Sequence, residues 1–120
     1  MSTFAELTKQ ILAFRDERNW KQFHGLRNLA AAIAIESGEL QELMLWKTDN
    51  EVQKIVTSRE GKQKLSAEIA DILIVSLLSC DATGIDPEGA IGHKLILNAE
   101  RFPASLARNN VNERTTLRPD

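Results

Sequence analysis

Leu7, Ile11 and Phe14, followed by Arg18, recur at steps of three and four residues, the period of an amphipathic helix. Thr3-Phe4-Ala5-Glu6 stands ahead of them in the form of a capping box, with Thr3 as N-cap and Glu6 reaching back. The pattern predicts a first helix over residues 4–18. Periodicity breaks over Asn19–Gly25 and returns over residues 26–46, where Leu29, Ile33, Leu40 and Met44 make one stripe while Ala30, Ala31, Ala32 and Ile35 fill other faces. A helix apolar nearly all round is central or packs against another subunit. Residues 50–63 are polar, with Val52, Ile55 and Val56 as the sizeable apolar exceptions, and read as a connection containing a short helical piece. A third helix is predicted over 64–83, stopped by Gly84. Asp86-Pro87 opens a fourth, with proline at the first helical position, ending near Arg101 ahead of Pro103. The tail from Arg108 to Asp120 has no apolar period and should be mobile unless a partner subunit holds it. Strand-period segments, internal repeats and Gly-rich phosphate loops are missing from the sequence. The expectation is an all-α fold of four main helices, with a domain over 1–107 and a polar tail over 108–120.

Two acidic runs interrupt this apolar pattern. Glu36-Ser37-Gly38-Glu39 follows the apolar stretch from Leu29 to Ile35, and Glu68-Ile69-Ala70-Asp71 precedes the one from Ile72 to Leu78. In each run the carboxylates are three residues apart, hence on one helical face about a turn from each other. One such pair is ordinarily a solvated face or a salt-bridge partner. Two pairs on two apolar helices place carboxylates where burial without compensation costs several kcal/mol. A divalent cation compensates naturally, and an oxygen-only ligand set suits Mg²⁺ or Mn²⁺. A di-iron bundle requires Glu-x-x-His pairs, and neither His24 nor His93 has a glutamate three residues earlier. Gly38, between the first pair, costs up to about 1 kcal/mol relative to alanine in a helix interior and leaves room for another helix or a ligand.

Composition narrows the functional classes. The 120-residue chain has a formal net charge of −2 and a pI near 5.7, so no basic footprint points to nucleic acid. Cys80 is the single cysteine, which excludes a disulfide framework. The start of the chain lacks a charged segment followed by an apolar one, and the run from Ile69 to Leu78 is too short for a bilayer span of about 20 residues. A cytoplasmic protein without a membrane partner is the expectation. Aromatic residues make up only 5% of the chain, yet Trp20, Phe23 and His24 gather in one loop. They form either a hydrophobic plug or a stacking surface for a planar ligand such as a nucleobase. On the fourth helix Lys94, Asn98 and Arg101 share a face, either as solvated polar groups or as donors to phosphate oxygens beside a metal.

Taken in order, these pieces resemble the MazG-like nucleoside triphosphate pyrophosphohydrolases, in particular the dCTP pyrophosphatase-like branch. The matching residues are Phe14-Arg15-Asp16-Glu17-Arg18-Asn19-Trp20, Phe23-His24, Arg27-Asn28-Leu29, Glu36-x-x-Glu39, Trp46-Lys47, Glu68-x-x-Asp71 and Lys94-x-x-x-Asn98-x-x-Arg101-Phe102-Pro103. They extend over roughly residues 10–103. The resemblance implies Mg²⁺-dependent hydrolysis between the α- and β-phosphates, giving a nucleoside monophosphate and pyrophosphate. It assigns metal binding to Glu36, Glu39, Glu68 and Asp71, with Glu39 the preferred glutamate for orienting or deprotonating water. It gives the phosphate chain to Lys94, Asn98 and Arg101, and the base and sugar to Trp20, Phe23, His24, Asn28 and Trp46, partly across a subunit boundary. It also implies a homo-oligomer, a dimer or a tetramer, of which the tetramer is the favoured expectation.

Two positions depart from the family pattern. Leu26 stands where a proline often lies two residues after the histidine, and Val75 stands where dCTP-directed relatives have a tyrosine four residues after the aspartate. The second change removes a ring from the expected base pocket, which weakens the case for strict cytosine preference and leaves the metal chemistry untouched. The expected substrate is dCTP or a related or modified pyrimidine nucleotide, in a house-cleaning role. Phosphoribosyl-ATP pyrophosphohydrolase shares the fold and is the alternative enzyme. An inactive helical binding or scaffold protein would lack a carboxylate or a basic residue, and none is missing here.

Overall fold

A computed structural model of the chain describes residues 2–109. The tail expectation for 110–120 falls outside the described residues. Six α-helices and one short 3₁₀ turn occur, with no strand among the described residues: α1 (Phe4–Glu17), the turn Lys21–Phe23, α2 (Leu26–Glu42), α3 (Asp49–Thr57), α4 (Arg59–Thr83), α5 (Pro87–Arg101) and α6 (Ala104–Ala107). The four expected helices are α1, α2, α4 and α5.

Their ends follow from local hydrogen bonding. The Thr3 hydroxyl accepts from Glu6 N at 3.1 Å and Glu6 Oε2 accepts from Thr3 N at 2.9 Å, the reciprocal pair that satisfies orphan donors at a helix start. Thr48 and Glu51 repeat the device at α3. Asp86 caps α5 by accepting from Gly89 N at 3.0 Å, and Pro87 follows at the first position. Gly84 ends α4 in the left-handed region at φ +70°, which glycine adopts without steric cost.

Two boundaries differ from the sequence expectation. α2 ends at Glu42 rather than near Trp46. Residues 43–46 tighten into turns, with Met44 N donating to Gln41 O and Lys47 N to Met44 O. Thr48 must lie extended to cap α3, so the helix cannot continue into it. α4 begins at Arg59, five residues earlier than expected, because Ser58 supplies an N-cap accepting from Gly61 N at 3.0 Å. Gly61 is required at this corner, where a Cβ would collide with the carbonyl oxygen of Ile55.

The chain divides between Ile85 and Asp86 into two compact units. In the first, α4 is the central helix: α2 packs against it most extensively, with α3 and α1 also on it. Leu29 from α2 and Leu77 and Leu78 from α4 are its buried apolar residues among those described. Ile35, Ile69 and Leu73 on the same two helices remain exposed within the chain. A Cβ at Gly38 would meet nothing within 4 Å, so no neighbour among the described residues uses that gap. In the second unit α5 leads through Pro103 into α6, with Phe102 N bonded back to Asn98 O at 2.8 Å.

Candidate active site

The α2–α4 pairing brings the two acidic runs together. One carboxylate oxygen each from Glu36, Glu39 and Glu68 lies within 4.8 Å of the others. Glu36 and Glu68 are half-buried, and in each the Oε2 atom is enclosed without a hydrogen-bond partner. Both carboxyls are pushed above their ordinary value of 4.5. Burial is the first cause, followed by the close approach of the Glu39 carboxyl and then by the negative charges of Glu39 and Asp71. Glu42, one turn beyond Glu39, adds to the repulsion on Glu68. The Ser37 hydroxyl donates to Ile33 O at 2.8 Å and is spent inside its own helix. Among the described residues no ion pair reaches these glutamates, and their orphaned oxygens, hardness and spacing fit a divalent cation.

Asp71, the fourth expected ligand, is not among the three whose oxygens gather, but its charge reaches Glu36 and Glu68 and it lines a cavity of about 440 Å³. One wall comes from α1 and its following loop: Ile11, Phe14, Arg15, Trp20 and His24. The facing wall is the stripe Asp71, Ile74, Val75 and Leu78 of α4. Trp20 meets Phe14 edge to face at 5.9 Å, and His24 follows at 6.4 Å from Trp20. The Arg18 guanidinium covers the outer face of Phe14 at 3.5 Å. His24 Nδ1 is buried without a partner, so this apolar enclosure holds an unused polar atom. Volume, aromatic lining and a few converging polar groups are those of a small-molecule site.

The other expected base-site residues are placed differently within one chain. Phe23 is exposed, and Asn28 donates to the Phe23 carbonyl at 2.9 Å, tying the loop to the start of α2. Trp46 is 93% exposed with φ +62° and does not line the cavity. In the second unit Lys94 is exposed while Asn98 and Arg101 are half-buried on one face of α5, with the Arg101 guanidinium 5.2 Å from the Phe102 ring.

A model of the MazG-like family matches residues 31–116. The chain belongs to the MazG-like family. It is 36% identical to the human protein called dCTP pyrophosphatase 1 over 115 residues, which cover 96% of this chain and 68% of that one. The mouse protein of the same name is 32% identical with the same coverage. The crystal structure of a pyrophosphatase from Archaeoglobus fulgidus superposes with a TM-score of 0.78 at 35% identity, over 86% of this chain and 94% of that one. The all-α MazG-like fold expected from the sequence is therefore the observed one.

Within this MazG-like chain, sequence reasoning overlooked Arg15, Phe14 and Glu42 as site neighbours. Phe14 stands in the α1 stripe and in the run that carries the family resemblance, with no site role attached to it. Glu42 repeats the three-residue spacing from Glu39 and could have been found that way. Arg15 carried one signal, a charged residue four positions after Ile11 on the packed side of α1.

Proposed function

We propose that this chain is a divalent-metal-dependent nucleoside triphosphate pyrophosphohydrolase, acting on dCTP or a related or modified pyrimidine nucleotide. The observation that supports it best is the position of Asp71, which lines an aromatic cavity sized for a base and whose charge reaches a glutamate trio with two half-buried members. Glu36, Glu39, Glu68 and Asp71 would hold Mg²⁺, with Mn²⁺ as an alternative hard ion. When bound, such an ion offsets phosphate charge and lowers the pKa of water. Glu39 is the exposed member of the trio, its carboxylate close to both half-buried glutamates, which suits it to orient water or take its proton. Water adds at phosphorus and the α–β bridging P–O bond breaks, giving a nucleoside monophosphate and pyrophosphate. Trp20 and His24 would contact the base. Lys94, Asn98 and Arg101 supply donors of the kind that phosphate oxygens require.

The assembly we infer is a homo-oligomer, a tetramer in preference to a dimer. Exposed Ile35, Ile69 and Leu73 on the two site-bearing helices support it. Trp46 would then serve the base pocket of a neighbouring copy. Its left-handed backbone costs on the order of 1–3 kcal/mol for a bulky residue, which is more readily understood if the ring has a partner.

The test is pyrophosphate release from a panel of canonical and modified (deoxy)nucleoside triphosphates, with Mg²⁺ and with chelator. Mg²⁺-dependent release from a pyrimidine deoxynucleotide, abolished by Asp71→Asn with helical circular dichroism unchanged, is the expected result. Absence of release across the panel would refute the proposal.

A further inference from the structure

We propose that Arg15 is a positioning residue that sets the separation of the cavity's two walls, and through it the affinity for the base. The inference rests on the reading that this cavity receives a nucleobase. Arg15 is the buried charged residue among those described, its side chain only 9% exposed. Its Nε and Nη2 both meet Asp16 Oδ1 at 2.8 Å, within α1. Its Nη1 reaches across to Asp81 Oδ2 on α4 at 3.4 Å. The other side-chain hydrogen bonds described join residues no more than five apart in sequence, Asn28 to Phe23 being the widest. The Arg15–Asp81 pair is thus the long-range polar tie in the first unit among the described residues.

Its location gives that tie a consequence for the site. Asp71, Ile74, Leu78 and Asp81 are spaced by three, four and three residues, hence on one face of α4. Asp71, Ile74 and Leu78 line the cavity, and Asp81 lies ten residues beyond Asp71, about 15 Å along the axis at 1.5 Å per residue. On the opposite wall Arg15 is flanked by Phe14, and its carbonyl accepts from Trp20 N at 3.1 Å. The residue that grips α4 is therefore the one on which the Trp20 loop is anchored. Releasing the grip frees α1 and the aromatic wall together, while Glu36, Glu39 and Glu68 on α2 and α4 keep their packing.

Fold maintenance and positioning separate experimentally. Asp16 and Asp81 are 57% and 38% exposed, so both stay hydrated when the arginine is removed. Removing one member of a buried ion pair destabilises chiefly by leaving the other charge buried and unpaired, a penalty that the exposure of both aspartates keeps small here. Arg15→Met should melt near wild type, keep kcat within about two-fold, and raise KM by about two- to thirty-fold, the range for residues coupled to a site through packing. Asp81→Asn should raise KM similarly and add nothing further in the Arg15→Met background. Arg15→Lys, which can reach one carboxylate but not both, should fall between wild type and Arg15→Met. In 5-fluorotryptophan-labelled protein, with the two resonances assigned by Trp46→Phe, Arg15→Met should broaden or shift the Trp20 signal and leave that of Trp46 unchanged. Wild-type KM and an unmoved Trp20 signal in Arg15→Met overturn the proposal. If that variant does not fold, the same result in Asp81→Asn overturns it. Should the wild-type chain hydrolyse no nucleotide, the function fails and the fluorine spectrum still decides the role of Arg15.

Discussion

Truncating Trp20 to alanine removes the ring that joins Phe14 and His24 into one wall. Two losses follow and differ in size and readout. The edge-to-face contact with Phe14 stabilises by about 0.5–1.5 kcal/mol beyond its area, a modest fall in melting temperature. Base stacking on an aromatic side chain is worth about 1–3 kcal/mol by alanine substitution. At about 1.4 kcal/mol per factor of ten, that is a rise of about 5- to 150-fold in KM. kcat should hold, because Trp20 does not belong to the acidic cluster that would activate water. Initial rates of pyrophosphate release across substrate concentrations measure both constants. Unchanged KM, or a loss confined to kcat, would refute the assignment of this cavity to the base and leave the aromatic loop as a hydrophobic plug.

Two further predictions concern the acidic cluster and the exposed tryptophan. Glu36 and Glu68 have folded-state carboxyls raised above 4.5. Without metal, the stability they contribute is fully present below about pH 4.5 and is lost as pH rises through the raised value, since the unfolded chain gives up its protons first. Melting temperatures between pH 4 and 8 in chelator should therefore fall with rising pH, less steeply in Glu36→Gln or Glu68→Gln, and equal slopes would refute the cause. Trp46→Ala should weaken nucleotide binding more than Mg²⁺ binding, as titrations of each would show. Unaltered nucleotide affinity would mean that the base site is built within one chain.

Helix existence was legible where periodicity and capping chemistry agreed, as at Thr3, Asp86 and Gly84. It was misjudged where the deciding contact is a local competition. At Ser58 the hydroxyl captures Gly61 N and starts α4 early, and nothing in the apolar period of residues 59–63 announces it. At Glu42 the helix still had apolar residues ahead of it, Leu43 to Trp46, and stopped because Thr48 is claimed by the next capping box. The glutamates were legible because carboxylates on apolar helices violate the rule that charge stays in water unless compensated. The cavity was half legible. Trp20 and His24 stood out by composition, but the stripe facing them, Ile74, Val75 and Leu78, looks like any helix core. Only tertiary packing shows that this stripe borders open space, and no sequence period encodes the long reach from Arg15 to Asp81.

The arrangement along α4 explains how a small helical unit could select a nucleotide over its fragments. Glu68 and Asp71 stand at one end of a face whose next turns are Ile74, Val75 and Leu78. The first end repels its own charges, and a cation bound there, as proposed, would relieve them and attract phosphate oxygens. The second offers apolar surface and aromatic edges, which reward a planar base and give nothing to a phosphate. Because both ends are on one continuous helix, their separation is fixed by its rise and not by loop motion. On the proposed reading, inorganic pyrophosphate would engage only the acidic end, and a nucleoside only the apolar one. A triphosphate nucleotide would span both, so binding energy gained at the base would hold the phosphate chain in register with the carboxylates proposed to activate water. The wall contributed by α1 completes that span, which is why a residue remote from the acids, such as Arg15, can govern affinity without entering the chemistry.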